Sequence, residues 1–120
     1  MSQYAIASSA GMSVPIDHVH LRRYTRNDRA LEIEVLQLFA GQAPETMASL
    51  VAAQDAKAWH IAAHTLKGSA RAVGAWAVAT AAEEAEKAGH DNVQRDQMLA
   101  RIDVLLAEVR GYIDGLAVAA

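Results

Sequence analysis

Within the string His64-Thr65-Leu66-Lys67-Gly68-Ser69-Ala70, an imidazole, an ammonium and a missing side chain fall three and four residues apart. On a helix those intervals stand one above the other, so His64 has Lys67 beside it and open space over Gly68. Glycine in a helix interior costs roughly 1 kcal/mol relative to alanine, so its place next to a histidine suggests that something bulky must approach the ring. A phosphoryl group in transfer fits. Neighbouring positive charge favours the neutral ring, whose nitrogen lone pair is then available as a nucleophile. The same cations would stabilise the anion once it is attached.

The stripe extends beyond these three residues. At 100° per residue, Lys57, His60, His64, Lys67 and Arg71 fall within roughly an 80° arc, opposite Trp59, Ala62, Leu66 and Val73. A solvated helix face accounts for a charge stripe by itself; the glycine is what points to chemistry.

Other chemistries fit less well. His60 and His64 have the four-residue spacing of zinc ligands on a helix, and Glu83 or Glu84 could complete a set, but His60-Ile61-Ala62-Ala63-His64 lacks a glutamate at its second position and Lys67 would repel a cation. No metal and no cofactor are therefore assigned. His18 and His20, two apart, point away from one another on a helix, and His90 follows Gly89 in a loop, so none of the three carries a functional signal.

The elements that must hold the stripe follow from the pattern of the chain. Its 120 residues suit one domain, and 52% apolar content is enough for one core. Much of that content is alanine, and the aromatics are three tyrosines, two tryptophans and one phenylalanine, which favours closely packed helices over bulky strands. A net charge of −3 offers no basic footprint for nucleic acid. There is no cysteine, which excludes disulfides and thiolate chemistry and suits a reducing cytoplasm. Residues 1–14 lack the features of a signal peptide, and no later run has membrane-spanning length, so a soluble, cytoplasmic protein without a membrane partner is expected.

Residues 1–14 read as a flexible segment and residues 15–118 as a single helical domain. Pro15 opens a short helix from about Ile16 to Tyr24. Asn27 and Asp28 offer caps for a second helix carrying Leu31, Val35, Leu38 and Phe39, then Met47 and Leu50; Pro44 predicts a kink or a split near Ala40-Gly41. Asp55 caps the third helix, with its stripe of Trp59, Ala62, Leu66, Ala70 and Val73, and Gly74 ends it. The fourth runs from Ala75 to about Ala88, buries Val78, Ala81, Ala82 and Ala85 and stops at Gly89. The last starts at Asp91 or Asn92, with Gln94 completing a capping box, and carries Leu99, Ile102, Leu106, Val109, Ile113 and Leu116. Trp76 projects off the buried face of the fourth helix and is expected to cover an end of the bundle. The class is all-α: an antiparallel up-down four-helix bundle with a short extra N-terminal helix.

The string Ala63-His64-Thr65-Leu66-Lys67-Gly68-Ser69-Ala70, with Val73-Gly74-Ala75 and Ala85-Glu86, resembles the histidine-containing phosphotransfer (HPt) domain family. Ile16-Asp17, Leu38-Phe39 and Ala43-Pro44-Glu45 look like that family's N-terminal half. The fourth helix departs from it, with Trp76, Val78 and alanines where leucines are usual and Ala85 where Leu commonly precedes Glu. The resemblance implies a phosphorelay intermediate that takes a phosphoryl group from the aspartate of a response-regulator receiver domain, including those of hybrid histidine kinases, and passes it to another. It implies no ATP binding or autophosphorylation. His64 would accept at Nε2, Lys67 would face the phosphate, and Gly68 would admit the receiver. Arg71, His60 and Lys57 are inferred from the stripe as phosphate-facing or docking residues. A histidine-kinase dimerisation helix is set aside, because Thr65 and Ser69 stand where that family has an acidic residue and a proline. A helical adaptor without phosphoryl chemistry shares every feature except the use of His64.

Overall fold

The computed structural model describes residues 14–119, so the flexible segment expected over residues 1–14 lies, except for Val14, outside the described residues. Five helices and no strand occur among the described residues: α1 (His18–Thr25), α2 (Arg29–Ala52), α3 (Ala56–Val73), α4 (Trp76–Ala88) and α5 (Arg95–Ala119). Each long helix packs on two others, α2 on α3 and α5, and α4 on α3 and α5, while α1 lies against α2 and α3.

Local chemistry sets the boundaries. The carboxylates of Asp17, Asp28 and Asp55 accept from the backbone N–H groups of His20, Leu31 and Ala58, capping α1, α2 and α3. Gly74 takes φ 77°, closing α3 with its N–H on the Ala70 and Arg71 carbonyls. A Cβ there would come 2.8 Å from the Asp17 carbonyl oxygen. The Gly74 carbonyl accepts from the Asp17 N–H at 2.9 Å, so one glycine both ends α3 and docks the start of α1.

Of the two outcomes left open at Pro44, a split does not occur: α2 is one continuous helix with Pro44 on its exposed side. Two expectations change. Leu31 and Leu38 are exposed; the buried line of α2 is Glu32, Leu36, Phe39, Ala43, Met47 and Leu50, because packing selects the arc through Leu36 and Phe39. α5 begins at Arg95 rather than at Asp91 or Asn92. The Asn92 side-chain oxygen accepts from the Gln94 N–H and its amide donates to the Gly89 carbonyl, holding those residues in a turn instead of a capping box.

The core is formed by Trp59, Leu66, Leu36, Leu50, Ile102, Ile113 and Val78, each about 1% exposed or less. Full burial of a large aliphatic side chain contributes roughly 1.5–3 kcal/mol. Buried Trp59 donates its indole N–H to the Ala85 carbonyl at 2.7 Å, tying α3 to α4. Arg95 lies over the Trp59 ring and donates to the carbonyls of His90, Val51 and Ala53, closing the end of α2 onto the start of α5. The small residues Ala63, Ala70, Ala82 and Ala85 are fully buried, and α3 and α4 form the most extensive helix pair. Alanine allows that close approach, which brings the outer edges of the two helices within side-chain reach.

Candidate functional site

The packing of α3 follows its predicted stripe: Trp59, Ala62, Leu66, Ala70 and Val73 are buried, and His60, His64 and Arg71 face solvent. The His64 side chain is 62% exposed. Gly68 presents open space, since a Cβ built on it meets nothing within 4 Å.

The cations do not stand alone. α4 turns Glu83 and Glu86 towards them, and Glu86, only 12% exposed, is the hub. Its Oε2 accepts from His64 Nδ1 at 3.1 Å, and its Oε1 pairs with the Lys67 ammonium at 2.7 Å. His60 brings Nδ1 to 3.3 Å of the same Oε2, and its ring stacks beside His64 with centroids 5.6 Å apart. Arg71 pairs with Glu83 at 2.8 Å, and Glu83 also holds Lys87 at 3.1 Å. Lys57 is exposed and stands outside this network.

This corrects the picture of a ring flanked by bare cations. The charge nearest the His64 ring is a carboxylate, and Lys67 is turned to that carboxylate's other oxygen. The hydrogen bond from Lys67 holds the Glu86 carboxyl below its usual range against the opposing effect of burial, with a smaller contribution from the His64 hydrogen bond. Glu86 is therefore an acceptor at neutral pH, and it makes Nδ1 the protonated nitrogen of a neutral His64. Nε2 keeps its lone pair and has no partner among the described residues.

The carboxylate that meets the two histidines is thus Glu86, not Glu83 or Glu84. The pairing Ala85-Glu86 carried a resemblance, but no spacing rule linked Glu86 to a histidine 22 residues earlier. A further residue of interest is Ile61, 54% exposed and one turn before His64, which adds apolar surface beside the ring.

His18 and His20 of α1 lie away from this network and contact other side chains. His18 bonds Glu32 of α2 through Nδ1 and the Tyr112 hydroxyl of α5 through Nε2. His20 packs edge-on against Tyr24 and Trp76. Trp76, 43% exposed, lies against the start of α1 and donates its indole N–H to Asp17 at 2.9 Å.

No helix among the described residues is long and apolar enough to cross a membrane. The family profile described as Hpt domain matches residues 34–117, from the second turn of α2 nearly to the end of α5, and so takes in the whole His64–Glu86 site. Neither the curated proteins nor the solved structures provide a match.

Proposed function

Because the chain belongs to the Hpt domain family, whose members serve histidine phosphotransfer in two-component phosphorelays together with receiver domains, we propose that His64 accepts a phosphoryl group at Nε2 from a receiver aspartate and passes it to a second receiver. The observation that supports this most strongly is the hydrogen bond from His64 Nδ1 to Glu86, with the space over Gly68 beside it.

The step follows from that geometry. The Nε2 lone pair attacks the phosphorus of the receiver's aspartyl phosphate in line. A P–N bond forms, the P–O bond to the aspartate breaks, and the carboxylate leaves with the electron pair. Positive charge grows on the imidazole as the bond forms, and Glu86, already bonded to the Nδ1 proton, stabilises it. Lys67 faces the phosphoryl oxygens as a cation pre-placed by its pairing with Oε1. Reverse transfer runs through the same atoms with the imidazole as leaving group. A metal ion held by the receiver would stabilise the transferring charge, and no step above is assigned to a metal on this chain.

Arg71 and Lys57 are seven residues from His64, about 10 Å along the helix axis, and act in docking rather than on the phosphoryl group. Ile61 supplies apolar contact to the receiver, and His60 supports the ring. The short connections imply that α2 to α5 run up and down in turn, within one domain over residues 15–118. The chain then works in the cytoplasm with its receivers.

The test is incubation with a phosphorylated receiver, followed by mass spectrometry at neutral or alkaline pH, on wild type and His64→Gln. Acid-labile phosphate is expected on the wild type alone. A wild type that stays unlabelled with a panel of receivers refutes transfer and leaves a helical adaptor.

A further inference from the structure

Three potential metal ligands converge on one point of the same surface. The Nδ1 atoms of His60 and His64 lie 3.3 and 3.1 Å from a single oxygen, Oε2 of Glu86, and the three groups offer ligand atoms within 4.8 Å of one another. Ligands about 2.0–2.1 Å from a tetrahedral zinc ion stand about 3.3 Å apart. The two nitrogen–oxygen separations are thus those of two edges of a zinc coordination tetrahedron. We propose that His60, His64 and Glu86 form a binding site for a divalent first-row metal ion of the zinc type, with water in the fourth position.

Imidazole with carboxylate is a donor set suited to zinc. Both rings are mostly exposed, 60% and 62%, so they can close on an ion without disturbing the core. Lys67 is the group that argues against a cation. Its ammonium is held at 2.7 Å by Oε1, while both rings contact the other oxygen, Oε2. A carboxylate that ligates through one oxygen and accepts a hydrogen bond on the other is a common arrangement around bound metals, and the lysine then orients the ligand. Arg71 and Lys87 are engaged by Glu83, further along the seam.

A metal at this site opposes phosphoryl acceptance, a consequence that rests on the function proposed above. Coordination takes the Nδ1 lone pair of His64, so its remaining proton must move to Nε2. That is the opposite tautomer from the one Glu86 selects in the metal-free chain, and its Nε2 has no lone pair with which to attack phosphorus. The metal also withdraws Glu86 from the ring. Zinc loading and phosphorylation of His64 are then mutually exclusive.

The site is tested by zinc titration of the full chain against a chromophoric competing chelator, with His60→Gln and Glu86→Gln alongside, and by nitrogen NMR of the imidazoles. One equivalent of zinc is expected to bind the wild type, with affinity reduced about tenfold or more in each variant. The Nδ1 resonances of His60 and His64 should both move to the coordinated position, leaving the His64 proton on Nε2. Absence of saturable binding overturns the site, as does binding that both variants retain or coordination through Nε2. The exclusion is tested by offering a phosphorylated receiver to chain preloaded with zinc and cleared of excess. Label should fall at least about tenfold and return with a chelator; label at the metal-free rate overturns the exclusion. A chain that binds zinc through these ligands but never accepts phosphate refutes the proposed function and leaves the metal site standing.

Discussion

Nδ1 of His64 meets Oε2 of Glu86 at 3.1 Å across the seam between α3 and α4. That contact fixes which nitrogen of the ring carries the proton. It also links the reactive surface of one helix to the packing of its neighbour.

Glu86→Ala is expected to slow phosphoryl acceptance by roughly 10- to 100-fold, the equivalent of one hydrogen bond to a charged group. Nitrogen NMR should show the His64 proton redistributed from Nδ1 towards Nε2. Transfer at the wild-type rate would remove Glu86 from the mechanism.

Lys67→Ala should leave the helices intact, since neither Lys67 nor its partner Glu86 belongs to the apolar core that holds α3 on α4. Rapid-quench measurement of transfer from a phosphorylated receiver should show a fall of about tenfold or more, the effect of one charge-assisted contact to phosphate. Unchanged kinetics would assign the lysine to structure alone.

Gly68→Gln puts a side chain into space where nothing lies within 4 Å of the new Cβ. Stability by urea denaturation should hold or rise by up to about 1 kcal/mol, because glycine is the poorer helix former. Phosphorylation by receivers should nevertheless collapse. Survival of transfer would mean that the receiver does not approach over this residue.

The Asp17–Trp76 contact makes a prediction about pH. The Trp76 indole N–H, and after it the His20 backbone N–H, hold the Asp17 carboxyl below its ordinary range. A depressed carboxyl adds stability above its unfolded-state pKa and loses it as pH falls through the folded one. Trp76→Phe should therefore raise the Asp17 pKa in a carbon-detected NMR titration, and destabilise the chain more at pH 7 than in strong acid. A stability difference independent of pH would show that packing of the indole matters and its hydrogen bond does not.

Much of the site was legible because its signals are local. Helical spacing alone sets His64, Lys67 and Gly68 on one face, Asp55 and Gly74 bound their helix, and the seam of Ile102, Leu106, Val109 and Ile113 is buried as its period implies. Each of these depends on residues within a turn or two of one another, where backbone geometry leaves few choices.

Other features needed the tertiary structure. Leu31 and Leu38 carry as good a helical period as Leu36 and Phe39, and only packing against α3 and α5 exposes the first pair and buries the second. Pro44 permitted a split that the continuous α2 does not make. The choice of Glu86 over Glu83 or Glu84 as the partner of His64 depends on the register of α4 against α3. That register is set by the close packing of α3 on α4, where Ala63, Ala70, Ala82 and Ala85 are fully buried, and by the Trp59 hydrogen bond to Ala85, which joins residues far apart in the chain. Sequence determined which face carries the histidine; interhelical packing decided which carboxylate meets it, and hence which nitrogen is left to react.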